Sequence, residues 1–311
     1  MEGECYMMSS STHGELCLPS FFVVGAQKAG TTSLHHWLSQ QHEISLPKNK
    51  ETHFFSSNKE YAKGIKWYLK QFSADGGICG EVAPDYLFSE KTPERIHEFV
   101  PGAKLIFIFR EPIQRAYSHY LMAVRNGYET HSFYDALLLE SERMQEGEES
   151  SSRYSYLSRG IYSKQINRFK KYFSGDNCMF IKFDDLVSQE GSNTDLLRDV
   201  ATFIGLDTST VGVMEKNNPS SVPHSRLLRD SLYKPSKLKK IFRLLVPSHD
   251  LRATIAHKLD LLNQCPIAKP SMGVVPIEVV QAALSEVKVL QSLTGLELQD
   301  WLESIPSYDV D

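Results

Sequence analysis

The sequence predicts an α/β fold: one domain in which a central parallel β-sheet is flanked by helices. Three observations predict it. Short apolar runs alternate with segments of helical periodicity along the chain, the pattern of βαβ units. The runs are apolar at every position, as in strands buried on both faces of a sheet. The chain has 311 residues, 41% hydrophobic and 23% charged, enough for a buried core and unlike the composition of a disordered chain or a coiled coil.

The first strand is Phe21-Phe22-Val23-Val24, closed by Gly25. Leu34, Trp37 and Leu38 then recur at helical spacing within 31–41. The second strand is Lys104–Phe109, followed by Arg110-Glu-Pro112 and a helix through Ala116, Tyr120 and Val124. The third is Met179–Phe183, followed by Asp184-Asp185-Leu186, read as the cap of the following helix, and a helix over 195–204. Trp67, Tyr68 and Phe72 have helical spacing and are expected to pack in the core. Val279, Ala283, Val287, Leu290 and Leu293 predict a final core-packing helix within 276–301. Segment 142–152 (ERMQEGEESSS) and segment 216–224 (KNNPSSVPH) read as surface loops, and the lysine-rich stretch 234–243 as a solvated helix face. The expected organisation is a leader over 1–19, one domain over 20–302 and a tail over 303–311.

Charge and cysteine usage exclude several classes. The net charge of -4 gives no global signal for a nucleic-acid partner. Five widely spaced cysteines without a CxxC argue against a disulfide framework or a zinc cage, so reduced, mostly buried thiols are expected. No run approaches eighteen apolar residues, and the first twenty residues lack a basic stretch followed by an apolar core. The expectation is a cytoplasmic protein that engages neither membrane nor nucleic acid.

The sharpest motif is the loop Gly25-Ala-Gln-Lys28-Ala-Gly30-Thr31-Thr32-Ser33, between a buried strand and a helix. Backbone N–H groups and a helix dipole hold phosphate in this setting. The two glycines match a GxxxxGK[ST] loop, so the sheet reads as P-loop-like. Thr31 stands where that loop's lysine belongs, however, and the lysine lies inside the loop at Lys28. The second strand ends in Arg110 rather than an acidic metal ligand, and Ser118 follows eight residues later. This favours a site that neutralises phosphate with side-chain cations and needs no metal. Asp184-Asp185 keeps a second reading open, a metal-dependent P-loop kinase of a small molecule. A third is a non-catalytic nucleotide-binding protein.

With these residues in view the sequence resembles a family. GxxKxGTTSL at 25–34 resembles the 5′-phosphosulfate loop of sulfotransferases that use 3′-phosphoadenosine 5′-phosphosulfate (PAPS), and FREPIQRAYSHY at 109–120 resembles their 3′-phosphate motif. KETHFF at 50–55 is similar to the KExxFF segment of the heparan-sulfate-sulfotransferase branch, which includes bacterial relatives. Weaker echoes are LSRGIY at 157–162, FDDL at 183–186, FIGL at 203–206 and LTGLELQDW at 293–301.

The resemblance implies that Lys28 contacts the 5′-phosphosulfate and stabilises its departing oxygen. Gly30, Thr31 and Thr32, with Gly25, Ala29 and Ser33 of the same loop, would hold the 5′-phosphate. Arg110 and Ser118 would hold the 3′-phosphate, and Arg226 would help close the site. Glu51 aligns with the branch's general base. His53, two residues on, competes for that role or shares it. His119, inside a motif, reads as structural. One departure is Val82, where several glycan sulfotransferases carry a lysine. It argues against a sulfated or carboxylated glycan acceptor. The implied activity is sulfuryl transfer from PAPS, leaving adenosine 3′,5′-bisphosphate, to a hydroxyl or amine of a small-molecule or carrier-bound acceptor. A cytosolic metabolite or natural-product intermediate is favoured.

Overall fold

The computed structural model describes residues 17–73, 77–188, 193–208, 221–223, 264–266 and 275–305. Its centre is a sheet of five parallel strands: β1 (Phe21–Gly25), β2 (Ile44–Ser45), β3 (Ile78–Val82), β4 (Lys104–Phe109) and β5 (Cys178–Lys182), in the order β2-β3-β1-β4-β5. The three strands read from the sequence are β1, β4 and β5. Every residue of β1 is buried, as is every residue of β4 after Lys104, which is why these runs are apolar throughout. β1 pairs with both neighbours, Val23 opposite Val82 on one side and Phe22 opposite Leu105 on the other. All the strands run the same way, so the segments that leave β1, β3, β4 and β5 gather at one carboxyl edge.

The helices are α1 (Thr31–Ser39), α2 (Asn58–Tyr61), α3 (Ile65–Leu69), α4 (Thr92–Phe99), α5 (Pro112–Asn126), α6 (Phe133–Met144), α7 (Glu148–Tyr154), α8 (Tyr162–Phe169), α9 (Phe183–Val187), α10 (Asn193–Ile204), α11 (Ile277–Thr294) and α12 (Gln299–Ser304). α5 starts where it does because Glu111 caps it, accepting from the amides of Ile113 (2.8 Å) and Gln114 (2.7 Å), with Pro112 at the first helical position. α11 packs against α5 and α8. A left-handed Gly295 ends it, and α12 then buries Trp301. The last segment is therefore two helices and not one.

Other expectations change. Segment 142–152 is mostly helical. It joins the end of α6, which Ser132 caps, to α7, where Arg153 pairs with Glu149 one turn away. Serines and glutamates that read as loop are compatible with short capped helices. Of 216–224, only Ser221–Pro223 is described, as β6 (Ser221–Pro223) pairing antiparallel with β7 (Gln264–Pro266). His224, Arg226 and the lysine-rich stretch 234–243 lie outside the described residues. Asp184 does not cap a helix with its side chain. It sits in the first turn of α9 and accepts from the indole N–H of Trp301 at 2.8 Å.

The cysteine expectation is corrected as well. Cys17 and Cys79 form a disulfide with Cα atoms 6.1 Å apart, joining the approach to β1 to the middle of β3. Spacing hid it because the two cysteines are 62 positions apart and the chain between them returns to the start through the sheet. Cys178 is free, and burial pushes its thiol up to about 11. A non-reducing peptide map of the purified protein should contain a Cys17–Cys79 cross-linked fragment. Replacing Cys17 with Ser should lower unfolding stability by up to about 4 kcal/mol, the chain-entropy value for a loop of this size, measured by denaturant titration.

Candidate active site

The glycine loop leaves β1 at the carboxyl edge. Gly25 lies so close to its surroundings that a Cβ there would fall 2.7 Å from the Cβ of Leu87 and 3.0 Å from the Pro84 carbonyl. Gly30 has φ 87° and faces the Phe183 ring, which an added Cβ would meet at 2.9 Å. Neither position accepts a side chain. Between them Lys28 is left-handed, with φ 71°, an unusual conformation for a lysine that turns the loop back towards α1. Ala29 and Thr31 are buried, Ser33 is half-buried, and Thr32 is exposed at the mouth. The Thr32 hydroxyl accepts from Lys50 Nζ at 3.0 Å. Burial pushes the Lys28 ammonium down to about 8, helped by Arg125, Arg110, Arg115 and Lys50. A concentrated positive field with little local compensation surrounds the loop.

The second motif reaches the same loop. Arg110, at the end of β4, donates to the Lys28 carbonyl at 3.4 Å, and its guanidinium lies 4.8 Å from the centre of the Phe183 ring. Arg115, fully buried on α5, donates to the Gln27 carbonyl at 3.4 Å and to the Tyr156 carbonyl. The Tyr162 hydroxyl, buried beside the Phe109 ring, donates to the Arg110 carbonyl at 2.8 Å. Two buried donors, Arg110 Nε and Arg115 Nε, have no protein partner. Buried N–H groups are rarely left unpaired, and these two lie beside a phosphate-type loop. Ser118 is buried two turns along α5. His119 is fully buried, edge-on to Tyr156 at 5.0 Å. Burial and Arg115 hold it well below the usual imidazole range, so it is neutral.

The third group faces the loop from 50–53. Glu51 and His53 also have positive φ, 64° and 54°. With Lys28 they are the three non-glycine residues of this kind among the described residues. Thr52, between two of them, is clamped. Its amide and hydroxyl donate to Glu81 Oε1 at 2.8 and 2.7 Å, while Tyr68 and Tyr86 donate to Glu81 Oε2 at 2.8 Å each. Glu81 is fully buried. Burial raises its carboxyl, and these four bonds oppose the rise. Tyr68 stacks on Phe54 at 4.6 Å, so its expected core packing holds, but its hydroxyl also serves the site. Glu51 pairs with Lys50 at 3.2 Å. His53 Nδ1 lies 3.4 Å from Asp85 Oδ2, and Asp85 Oδ1 accepts from Arg159 at 2.7 Å. Glu51, His53 and Asp85 place one ligand-type atom each within 4.8 Å of one another. Both carboxylates already face cations, so the cluster is charge-balanced without an ion.

The sulfotransferase domain model matches residues 18–226. The chain belongs to the sulfotransferase family. It is 33% identical over 178 residues to heparan sulfate glucosamine 3-O-sulfotransferase 5 of Mus musculus, covering 55% of this chain and 50% of that one. It is 32% identical over 203 residues to the bifunctional heparan sulfate N-deacetylase/N-sulfotransferase 4 of the same organism, covering 61% and 22%. It therefore spans half the length of the first relative and less than a quarter of the second. A solved sulfotransferase from Alicyclobacillus acidocaldarius superposes with a TM-score of 0.64 at 25% identity, covering 92% of this chain and 99% of that one. The chain shares its parallel-sheet fold with that structure. No helix among the described residues is long and apolar enough to cross a membrane.

The structure places Gly25, Lys28, Ala29, Gly30, Thr31, Thr32 and Ser33 on one loop, with Arg110 against it; Glu51 meets the loop through Lys50, and His53 lies beside Asp85. Arg226 lies outside the described residues. Sequence reasoning passed over Lys50, Glu81, Asp85, Arg115 and Arg159. Lys50 stood inside a motif already noticed, and Glu81 and Asp85 flanked Val82. Val82 itself is buried opposite Val23 and offers no charge.

Two outcomes follow. Replacing Glu81 with Gln puts an amide N–H₂ among groups that all donate, so stability should fall by about 2–4 kcal/mol in denaturant titration. For Lys28, the folded state binds fewer protons than the unfolded state between pH 8 and 10.5. The stability of wild type relative to Lys28→Met should therefore rise with pH across that window, by about 3 kcal/mol at most.

Proposed function

We propose that this sulfotransferase moves a sulfuryl group from PAPS to a hydroxyl or amine of an acceptor, leaving adenosine 3′,5′-bisphosphate. The observation that carries the reading is the pair of buried, unpartnered guanidinium N–H groups of Arg110 and Arg115 beside a left-handed loop lysine. That is a cradle for a ligand with several negative charges. Bound there, PAPS would supply the activated sulfuryl group.

The chain's own residues divide the remaining work. Lys28, with the amides of Gly30, Thr31 and Thr32, neutralises anionic charge at the loop. It stabilises the negative charge that develops on the departing oxygen. Arg110 and Ser118 hold the far phosphate, and Arg110 through the Lys28 carbonyl also fixes the loop. Glu51 and His53 stand on the acceptor side, where one of them takes the acceptor proton. Holding both reactants in line is the larger part of the catalysis.

For the acceptor we favour a small metabolite or natural-product intermediate. Support comes from Val82, an apolar residue where several glycan sulfotransferases carry a lysine. Titration calorimetry with adenosine 3′,5′-bisphosphate in the presence of EDTA should show binding. Arg110→Ala should weaken it by at least about tenfold. Lys28→Ala should abolish PAPS turnover while the circular dichroism spectrum is retained. A requirement for Mg²⁺, or undiminished turnover in Lys28→Ala, would overturn the proposal.

A further inference from the structure

Glu51 and His53 flank the clamped Thr52, but their surroundings differ. The Glu51 carboxylate is paired with Lys50, whose ammonium is itself tied to Thr32 on the loop. This carboxylate is thereby committed to neutralising a cation at the loop mouth. His53 has no such engagement. Its Nδ1 faces Asp85 at 3.4 Å, and its side chain is 43% exposed, open to an incoming molecule. Asp85 is itself fixed. Its other oxygen accepts from Arg159 at 2.7 Å, and that guanidinium is nearly buried and lies 4.5 Å from the centre of the Phe88 ring. Arg159 Nε is held in turn by the Ser155 hydroxyl at 2.8 Å. A chain of fixed groups therefore runs Ser155–Arg159–Asp85–His53 and ends on the imidazole. His53 holds this position on a left-handed backbone.

We propose that Asp85 is a positioning residue for His53. It accepts a hydrogen bond from Nδ1–H and thereby leaves Nε2 unprotonated and directed at the acceptor, which assigns proton removal to His53 and charge neutralisation at the loop mouth to Glu51. The inference rests on the sulfuryl-transfer reading. In the step it describes, the acceptor O–H proton passes to His53 Nε2 as the acceptor O–S bond forms. The bond between sulfur and the nucleotide's phosphate oxygen breaks, and its electron pair leaves on that oxygen. Asp85 exchanges no proton. It fixes which ring nitrogen is free, because the hydrogen bond made by one imidazole nitrogen selects the tautomer at the other.

The test is separable from the reaction. ¹⁵N–¹H spectra of ¹⁵N-histidine-labelled full-length protein, with the His53 signals assigned by comparison with His53→Gln, report the neutral tautomer directly. Wild type should carry the proton on Nδ1. Asp85→Ala should shift His53 towards the Nε2–H form, Asp85→Glu should retain Nδ1–H, and Glu51→Gln should leave it unchanged. An Nε2–H tautomer in wild type, or an unchanged tautomer in Asp85→Ala, overturns the proposal whether or not PAPS is the donor.

With an acceptor found by screening, Asp85→Ala should lower kcat by about tenfold to a hundredfold. That is part of the 10²–10⁴ a positioned base contributes. Acceptor KM and affinity for adenosine 3′,5′-bisphosphate should stay within about twofold of wild type, and Asp85→Glu should recover part of the rate. Equal loss of rate and nucleotide affinity would indicate a structural role and overturn the assignment. Failure of wild type to bind adenosine 3′,5′-bisphosphate would overturn the donor reading alone.

Discussion

The site depends on a carboxylate buried under the sheet edge. Glu81 takes four donated hydrogen bonds, two of them from Thr52, and Thr52 is the fixed point between two residues forced into the left-handed region. Such backbone costs about 1–3 kcal/mol at each position and persists only where the surroundings over-determine it. The surroundings here are Glu81, the Tyr68 and Tyr86 hydroxyls and the rings of Phe54 and Phe55, all buried. The burial that makes the carboxylate expensive also makes its hydrogen bonds strong. A polar group at the centre of an otherwise apolar strand, Ile78–Val82, is the anchor for what stands in front of the loop.

The opposite wall is built from cations with too few anions. Lys28, Arg110, Arg115 and Lys50 crowd one loop; Glu51 pairs with Lys50 at its mouth, and the other nearby carboxylates are engaged elsewhere. Glu111 caps a helix, Asp184 holds an indole, and Asp85 holds Arg159. Mutual repulsion and burial lower the Lys28 ammonium. In the protein alone this is a cost, and an anion that binds here relieves it. The positive field is preorganised before the ligand arrives, the condition under which electrostatic stabilisation contributes most to catalysis.

The sequence made the sheet legible where strands are uniformly apolar, as in β1, β4 and β5. It hid β3, whose ICGEV interrupts the pattern with a glycine and a charge that the fold later buries. The loop and its arginine were readable because their spacing is local and their chemistry is narrow. The residues that hold His53 and its neighbours from behind were not. Asp85 and Arg159 lie 74 residues apart, and an aspartate in a turn or an arginine before a glycine looks the same paired or solvated. Contacts that close over long separations leave no periodicity to read. The disulfide escaped for the same reason.

Arg110 and Arg115 hold the carbonyls of Lys28 and Gln27, so the loop is not a self-contained cassette. Grafted onto another strand–helix junction without those guanidiniums, the same nine residues would keep their glycines and lose the two donors that brace their outward carbonyls. Modularity in this protein therefore ends at the sheet edge. The smallest transferable unit is the loop together with the end of β4 and the first two turns of α5, two neighbouring strands and the helix that follows the second.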